Sequence, residues 1–403
     1  MVHPIFFVGI DISKHKHDVA IIDAHKHLLQ KVFVIAESRA GYQQLLTTLQ
    51  AYQQQYGTTE FRIGMEATGD YWKNLYHFLQ HASPAFVLTV LNPVQTRNYV
   101  RSELRRAKTD PVDALDIARF MVEKRPRPSF DRLPIFDTLK ELDRQLYALR
   151  KQHVMALNQL RLELDKVAPE IEHAFRRLDG PQLLAVLKTY PTAEALGRAS
   201  VDELGAFRYG PKQRRVSQPL VAHLKALAEN SCAHKTGPGA GLLVQTLVER
   251  LEHTQQLQAR LKAHVAELYH HARQVPSVLT SIKGISPETA MLLEAYIGEV
   301  NRFASAKQIV AFFGMNPTVN QSGKATKRVS YLEKKGSGLV RHKLFMITLN
   351  LIRHRVEPFY RYYTRLVAKG KPKLVAVIAT MRKLLVIIYT LLKKQEPFVY
   401  NPK

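Results

Sequence analysis

Apolar and polar positions change period along this chain. Near the start, apolar runs at 5–11, 18–23 and 31–35 are short, β-rich and split by turn-like polar residues. That pattern predicts two hairpins giving three antiparallel strands. Ser38 is placed to N-cap a helix running through Gln54. Residues 61–66 predict a fourth strand, 69–81 a helix and 86–91 a fifth strand; Asn92-Pro93 reads as a break. A helix is expected from Thr109, with Thr109 as N-cap and Pro111 in the first turn, where a proline is tolerated.

The period then lengthens. Residues 126–138 carry Pro126, Pro128 and Pro134 and read as a linker. Leu139, Leu142, Leu146 and Leu149 step by three and four, and Leu157, Leu160, Leu164 and Val167 continue after an offset. This is a heptad-like stripe with a stutter. Leu243, Leu247, Leu251, Thr254, Leu257, Leu261, Val265 and Leu268 make a second stripe. The region 139–275 is therefore expected to be helical or coiled-coil. Its stripes have three outlets: an antiparallel hairpin, a dimer contact, or packing on their own core. Gly180-Pro181, Gly210-Pro211 and Gly237-Pro238-Gly239 frame short helices between them, including one over 192–204. The Gly237–Gly241 run lacks the Gly-Lys-Ser/Thr of a phosphate loop and reads as a turn.

From 276 to 403 a mainly helical, basic C-terminal domain is expected. Residues 279–286, with Lys283-Gly284, resemble half of a helix-hairpin-helix; a purely structural turn is the alternative. Over 1–125, the order three strands, helix, strand, helix, strand, helix is that of the α/β ribonuclease H-like (RuvC-like) fold.

Charge narrows the function. The 403 residues carry a formal net charge of +25. It is uneven: residues 321–403 hold 19 Lys/Arg against 3 Asp/Glu. Such a field attracts polyanions, so nucleic acid is the first partner to consider, with an anionic membrane surface or a merely solvated face as rivals. Cys232 is the only cysteine, which excludes an intrachain disulfide and suits a reducing cytoplasm. The first residues lack a signal-peptide layout. The apolar stretch 374–392 is interrupted by Arg382-Lys383 and reads as a buried helix, so no membrane span is expected.

Four acids stand where phosphoryl chemistry needs them. Asp11 ends the first strand run and Glu66 the fourth, while Asp110 and Asp113 are three apart at a helix start, on one side of it. Such a set can hold Mg²⁺, which takes oxygen ligands and neutralises charge on a phosphate under attack. Asp18, Asp23, Asp70 and Asp116 are competing acids. Ser322-Gly323 lies in a polar, loop-like run, followed by Lys324, Lys327, Arg328 and Arg341 that could hold a phosphate. A serine needs a base or metal to become a nucleophile. A plain Ser-Gly turn is the rival reading, and Ser330 and Ser337 are rival serines.

Taken together, Val8-Gly9-Ile10-Asp11, Met65-Glu66-Ala67-Thr68-Gly69, Lys108-Thr109-Asp110-Pro111-Val112-Asp113-Ala114, Ser281-Ile282-Lys283-Gly284-Ile285, residues 303–323 and Gly336-Ser337-Gly338-Leu339-Val340-Arg341 resemble one family. It comprises insertion-sequence transposases with an N-terminal RuvC-like DEDD domain and a C-terminal domain bearing a serine nucleophile, the bridge-RNA-guided DNA recombinases. The resemblance covers roughly 1–125 and 276–400. It implies that Asp11, Glu66, Asp110 and Asp113 bind Mg²⁺ and that Ser322 forms a covalent phosphoserine link to DNA. It also implies a structured noncoding guide RNA, a composite active site shared between protomers, and dimers that assemble into a tetramer on nucleic acid. Ser286 departs from the family, which has glycine there, and the helical region 139–275 is long for its compact members. Rival readings are a metal-dependent Holliday-junction-type endonuclease using water, with Ser322 structural; a sugar-kinase or actin-like ATPase, which needs a second glycine-rich loop that is missing; and a non-catalytic RNA-binding derivative.

Overall fold

A computed structural model of the chain describes residues 4–57, 60–102, 110–129, 134–210, 212–272, 276–319, 330–332 and 336–400. It divides into two compact units, Met1–Asp131 and Arg132–Lys403.

The first unit is built on β1 (Ile5–Ile12), β2 (Lys16–Ile22), β3 (Phe33–Ala36), α1 (Arg39–Tyr56), β4 (Glu60–Glu66), α2 (Trp72–Gln80), β5 (Phe86–Leu91), α3 (Pro93–Ser102) and α4 (Asp110–Lys124). The sheet order is β3-β2-β1-β4-β5. β1, β2 and β3 are antiparallel neighbours, while β4 and β5 run parallel to β1. Ser38 caps α1 as its sequence suggested, accepting from the Gly41 N–H at 3.1 Å.

Side-chain alternation gives the sheet two apolar faces. Val8, Ile10, Val19, Ile21 and Ile63 pack with Leu45, Leu49, Leu75 and Leu79 of α1 and α2. Phe7, Ala20 and Ile22 pack on the other face with Ala114, Ile117, Ala118 and Met121 of α4. Each fully buried Leu, Ile or Phe contributes about 1.5–3 kcal/mol. Glycine lets α4 lie directly on the strands. A Cβ on Gly9 would stand 2.1 Å from the Ala114 carbonyl oxygen.

One element departs from expectation. Asn92-Pro93 does not break the chain but starts α3: the Asn92 side chain accepts from the Val94 N–H at 2.9 Å. Pro93 takes the first helical position, where its missing N–H has no intrahelical role.

The second unit opens with α5 (Pro134–Val167), which begins at Pro134 rather than Leu139 because proline suits a first turn. α6 (Pro181–Thr189), α7 (Ala193–Arg198), α8 (Val201–Ala206), β6 (Arg208–Tyr209), β7 (Arg214–Arg215) and α9 (Gln218–Glu229) follow, then α10 (Pro238–Ala272). α5 and α10 run antiparallel, as three contacts show: Gln258 donates to the Leu149 carbonyl, His153 meets Thr254, and Arg250 donates to Gln159. The helix expected over 192–204 is two helices. Ser200 and Glu203 form a reciprocal capping box that starts α8 afresh. The second apolar stripe also shifts at its start. Leu243 is exposed, and Val244 and Val248 are buried instead, since this part of α10 packs on α6 as well as α5.

α11 (Pro287–Ile297), α12 (Ala306–Phe312), β8 (Pro317–Val319), β9 (Ser330–Leu332), α13 (Gly338–Arg353), α14 (Phe359–Ala368) and α15 (Lys373–Lys394) complete the chain. α15 is long and apolar enough to cross a bilayer, but Leu384, Leu385 and Ile388 are buried in the core formed with α11, α12 and α13. Asp143 of α5, 3% exposed, latches the helical pair to this core. It accepts from Lys343 of α13 at 2.7 Å and from the Tyr296 hydroxyl of α11 at 3.1 Å.

Candidate active site

Strand register decides which acids share a face. Asp11 is in phase with Phe7 and Gly9, whose face meets α4. Glu66 is in phase with Gly64, where an added Cβ would meet Met121 of α4 at 2.7 Å. β1 and β4 are parallel, so both acids lie at the same end of the sheet. α4 runs the opposite way. Its last turn lies at the other end, where Glu123 accepts from Lys26 at 2.5 Å, beyond the start of β1. Its first turn, with Asp113, therefore comes to the end that carries Asp11 and Glu66. The positive end of the α4 dipole there favours nearby carboxylates. Asp110 is the first residue of α4, and its side chain lies outside the described residues.

Two participants were not singled out from the sequence. Asp18 pairs directly with Asp11 across β1 and β2 and is 4% exposed. It was one of several competing acids, and only the hairpin register selects it. Like charges directly opposite repel, so this pair favours a counter-charge. Thr96 of α3 donates its hydroxyl to Glu66 Oε1 and is itself buried. The helix that carries it starts at Asn92-Pro93, a pair that in sequence reads equally as a break.

A second layer holds the β1–β2 turn. His17 is fully buried, and its Nδ1 accepts from the Ser13 N–H at 3.4 Å. Nε2 then carries the proton and donates to Glu37 at 2.5 Å. Glu37 also accepts from Asn74 at 3.0 Å. Burial pushes the Glu37 carboxyl up, but the neighbouring Tyr42 hydroxyl and the hydrogen bonds from Asn74 and His17 outweigh it and hold the group below its ordinary range. The turn between Asp11 and Asp18 is thereby tied to β3, α1 and α2.

Among the described residues, no three His, Cys, Asp or Glu side chains close into a metal-ligating group. The donor chemistry nevertheless suits a hard divalent cation, since every acid here offers carboxylate oxygen.

Ser322, with Lys324, Lys327 and Arg328, falls outside the described residues, in the sequence between β8 and β9. Arg341 is described, and its guanidinium donates to the Phe313 and Gly336 carbonyls at 3.1 and 3.2 Å. It thus secures backbone at the end of α12. Gly284 adopts φ +100°, and Ser286 caps α11 by accepting from the Thr289 N–H at 3.3 Å. The serine in place of glycine is thus a helix cap.

Comparison with known proteins agrees with this layout. Residues 8–169 match a profile described as a transposase, the DEDD transposase domain of IS110. Residues 277–364 match the profile of the IS116/IS110/IS902 transposase family. The pilin gene-inverting protein of Moraxella bovis is 26% identical over 392 residues, 97% of each chain. The mini-circle putative transposase for IS117 of Streptomyces coelicolor is 26% identical over 332 residues, 79% of this chain and 78% of that one. An uncharacterized 44.8 kDa protein of insertion element IS116 from Streptomyces clavuligerus is 23% identical over 404 residues, 99% and 98% of the two chains. With both transposase profiles matched in order and two of these relatives aligned over nearly their whole length, the chain belongs to the IS116/IS110/IS902 family of transposases, enzymes that rearrange DNA.

Proposed function

We propose that this transposase is an RNA-guided recombinase that cuts and rejoins DNA through a serine. The observation that carries the reading is the gathering of Asp11, Glu66 and the first turn of α4 at one end of a sheet whose strand order and directions fit a ribonuclease H-like, RuvC-like domain. In this reading the chain comprises that domain (1–125), a linker ahead of α5, a helical, coiled-coil region opening with α5 and a serine-bearing domain (276–403). Asp11, Glu66, Asp110 and Asp113 hold Mg²⁺, and Asp18 adds negative charge beside them. The ion would neutralise the phosphate and polarise it toward attack.

Ser322 Oγ forms the new bond to phosphorus as the bond to the leaving nucleotide oxygen breaks. That oxygen keeps the electron pair and takes up a proton. A hydroxyl of the exchanged strand then attacks the phosphoserine, releases Ser322 and restores a phosphodiester. Bond energy is retained throughout, so no nucleotide cofactor is consumed. Sequence choice rests on a structured guide RNA, and the working particle is a dimer that assembles into a tetramer on nucleic acid. The name of the Moraxella relative, an inverter of a gene, supports rejoining over cutting alone.

The test uses purified chain with its RNA and DNA substrates. A covalent protein–DNA adduct should be trapped on denaturing gels and be lost in Ser322→Ala. Strand cleavage that persists in Ser322→Ala would instead identify a hydrolytic junction endonuclease.

A further inference from the structure

In the basic C-terminal region, positive charge converges at a cleft where, among the described residues, no acid pairs directly with it. Arg361, Tyr362 and Arg365 of α14 and Lys383 of α15, with Pro358 and Tyr400, line a cleft of about 280 Å³. That is near the lower end of the volumes of small-ligand sites, about 300 Å³. α14, α15 and the turn between them contain no Asp or Glu at all. Among the described residues, neither arginine nor Lys383 forms an ion pair within 4.0 Å. By contrast, Lys343 of α13 is paired with Asp143.

Two of the cations, Arg365 and Lys383, lie against an aromatic ring. Lys383 Nζ lies 4.8 Å and the Arg365 guanidinium 5.2 Å from the centre of the Tyr362 ring. A ring face attracts a cation, so Tyr362 draws two like charges together. Burial lowers the Lys383 ammonium's affinity for its proton, Arg365 lowers it further, and Glu357, the nearby acid, raises it only in part. The far wall is set by the chain's last described residues. Phe398 stacks on Phe359 at 6.0 Å, and its N–H donates to Ser281 at 2.7 Å, which brings Tyr400 to the cleft.

We propose that this cleft between α14 and α15 is a binding site for a nucleic-acid phosphodiester, held by Arg361, Arg365 and Lys383. A guanidinium pair matches phosphate oxygens in geometry and charge, and an arriving anion would relieve the repulsion among the three cations. An anionic membrane is disfavoured because Leu384, Leu385 and Ile388 of α15 are buried in the protein core. The proposal rests on the transposase reading, and the phosphate can come from DNA or from RNA.

The experiment measures binding of the full chain to a labelled DNA duplex and a labelled structured RNA over a range of salt, for the parent, R361A/R365A and Lys383→Met. Arg361 and Arg365 are exposed, so the double variant should fold, and circular dichroism checks it. Each lost phosphate contact should reduce the salt slope by about 0.9 for duplex DNA or about 0.7 for single-stranded RNA. The double variant should bind about 10-fold more weakly at physiological salt. A fall for DNA only assigns the site to DNA, and a fall for RNA only assigns it to RNA. Unchanged slopes for both, with the parent binding normally, overturn the site while leaving the transposase reading intact. A parent that binds neither overturns both. Loss of binding to vesicles of phosphatidylserine without any change for nucleic acid would assign the cleft to membrane and overturn the proposal.

Discussion

The hydroxyl of Thr96 aims the Glu66 carboxylate, and this contact is open to direct test. Hydrogen bonds to charged groups contribute about 1.5–3 kcal/mol. Thr96→Val should therefore slow metal-dependent strand cleavage by about 10- to 100-fold, and Thr96→Ser should restore most of it; single-turnover cleavage measures both. Equal loss in the two variants would show that packing rather than the hydroxyl matters. Glu170 offers a test of pH dependence in the second unit. Burial raises its carboxyl, but the Cys232 N–H at 2.8 Å and the Ser231 hydroxyl at 2.7 Å outweigh that and hold it at about 2, against an ordinary 4.5. A depressed acid stabilises the fold above its unfolded pKa and loses that contribution as pH falls through the folded one. Glu170→Gln should thus lower the melting temperature at neutral pH, and its difference from the parent should shrink between pH 4.5 and about 2. A difference that stays constant across that window would contradict the assignment.

At the scale of elements, the contact of α4 with the sheet is the one on which the acid cluster depends. A methyl on Gly9 would meet backbone, the Ala114 oxygen at 2.1 Å and the Ala118 nitrogen at 2.4 Å. On Gly64 it would meet the flexible Met121 side chain at 2.7 and 2.8 Å. Overpacking costs about 1–3 kcal/mol, more where nothing can give. Gly9→Ala should therefore destabilise well beyond Gly64→Ala in denaturant melts, and should impair cleavage by moving Asp113. Similar midpoints for both variants would argue against this packing. In the second unit, Asp143→Ala would leave Lys343 without its partner, and breaking a buried pair costs about 3–5 kcal/mol. Thermal melts should show a loss of that order. The strands and α1 were legible in the sequence because alternation and a serine cap are local signals. α3 was not, because Asn-Pro is both a breaker and a helix start, and only the Asn92 side chain bonding Val94 distinguishes them. The phase of α10 at Leu243 was likewise hidden, since it depends on which helices lie alongside.

For the whole molecule, two electrostatic roles should separate. Chelating divalent ions, or Asp11→Asn, should abolish strand cleavage, while binding to DNA at low salt survives, because the excess of +25 charges attracts phosphate without metal. Gel-shift and cleavage assays on the same samples check this, and loss of binding on chelation would contradict it. The sequence by itself determined that the chain is basic, that its first part is an α/β unit and its remainder largely helical, and which family it resembles. The first two follow from composition and local periodicity and the resemblance from short motifs, all of which survive without tertiary context. Only the tertiary structure decided that Asp18, and not Asp23, stands opposite Asp11, that Thr96 holds Glu66, and that Arg341 is engaged with backbone. It also decided that Arg361, Arg365 and Lys383 share a cleft. Each of those facts joins residues distant along the chain or chooses among equivalent ones, and register, strand direction and helix packing make that choice.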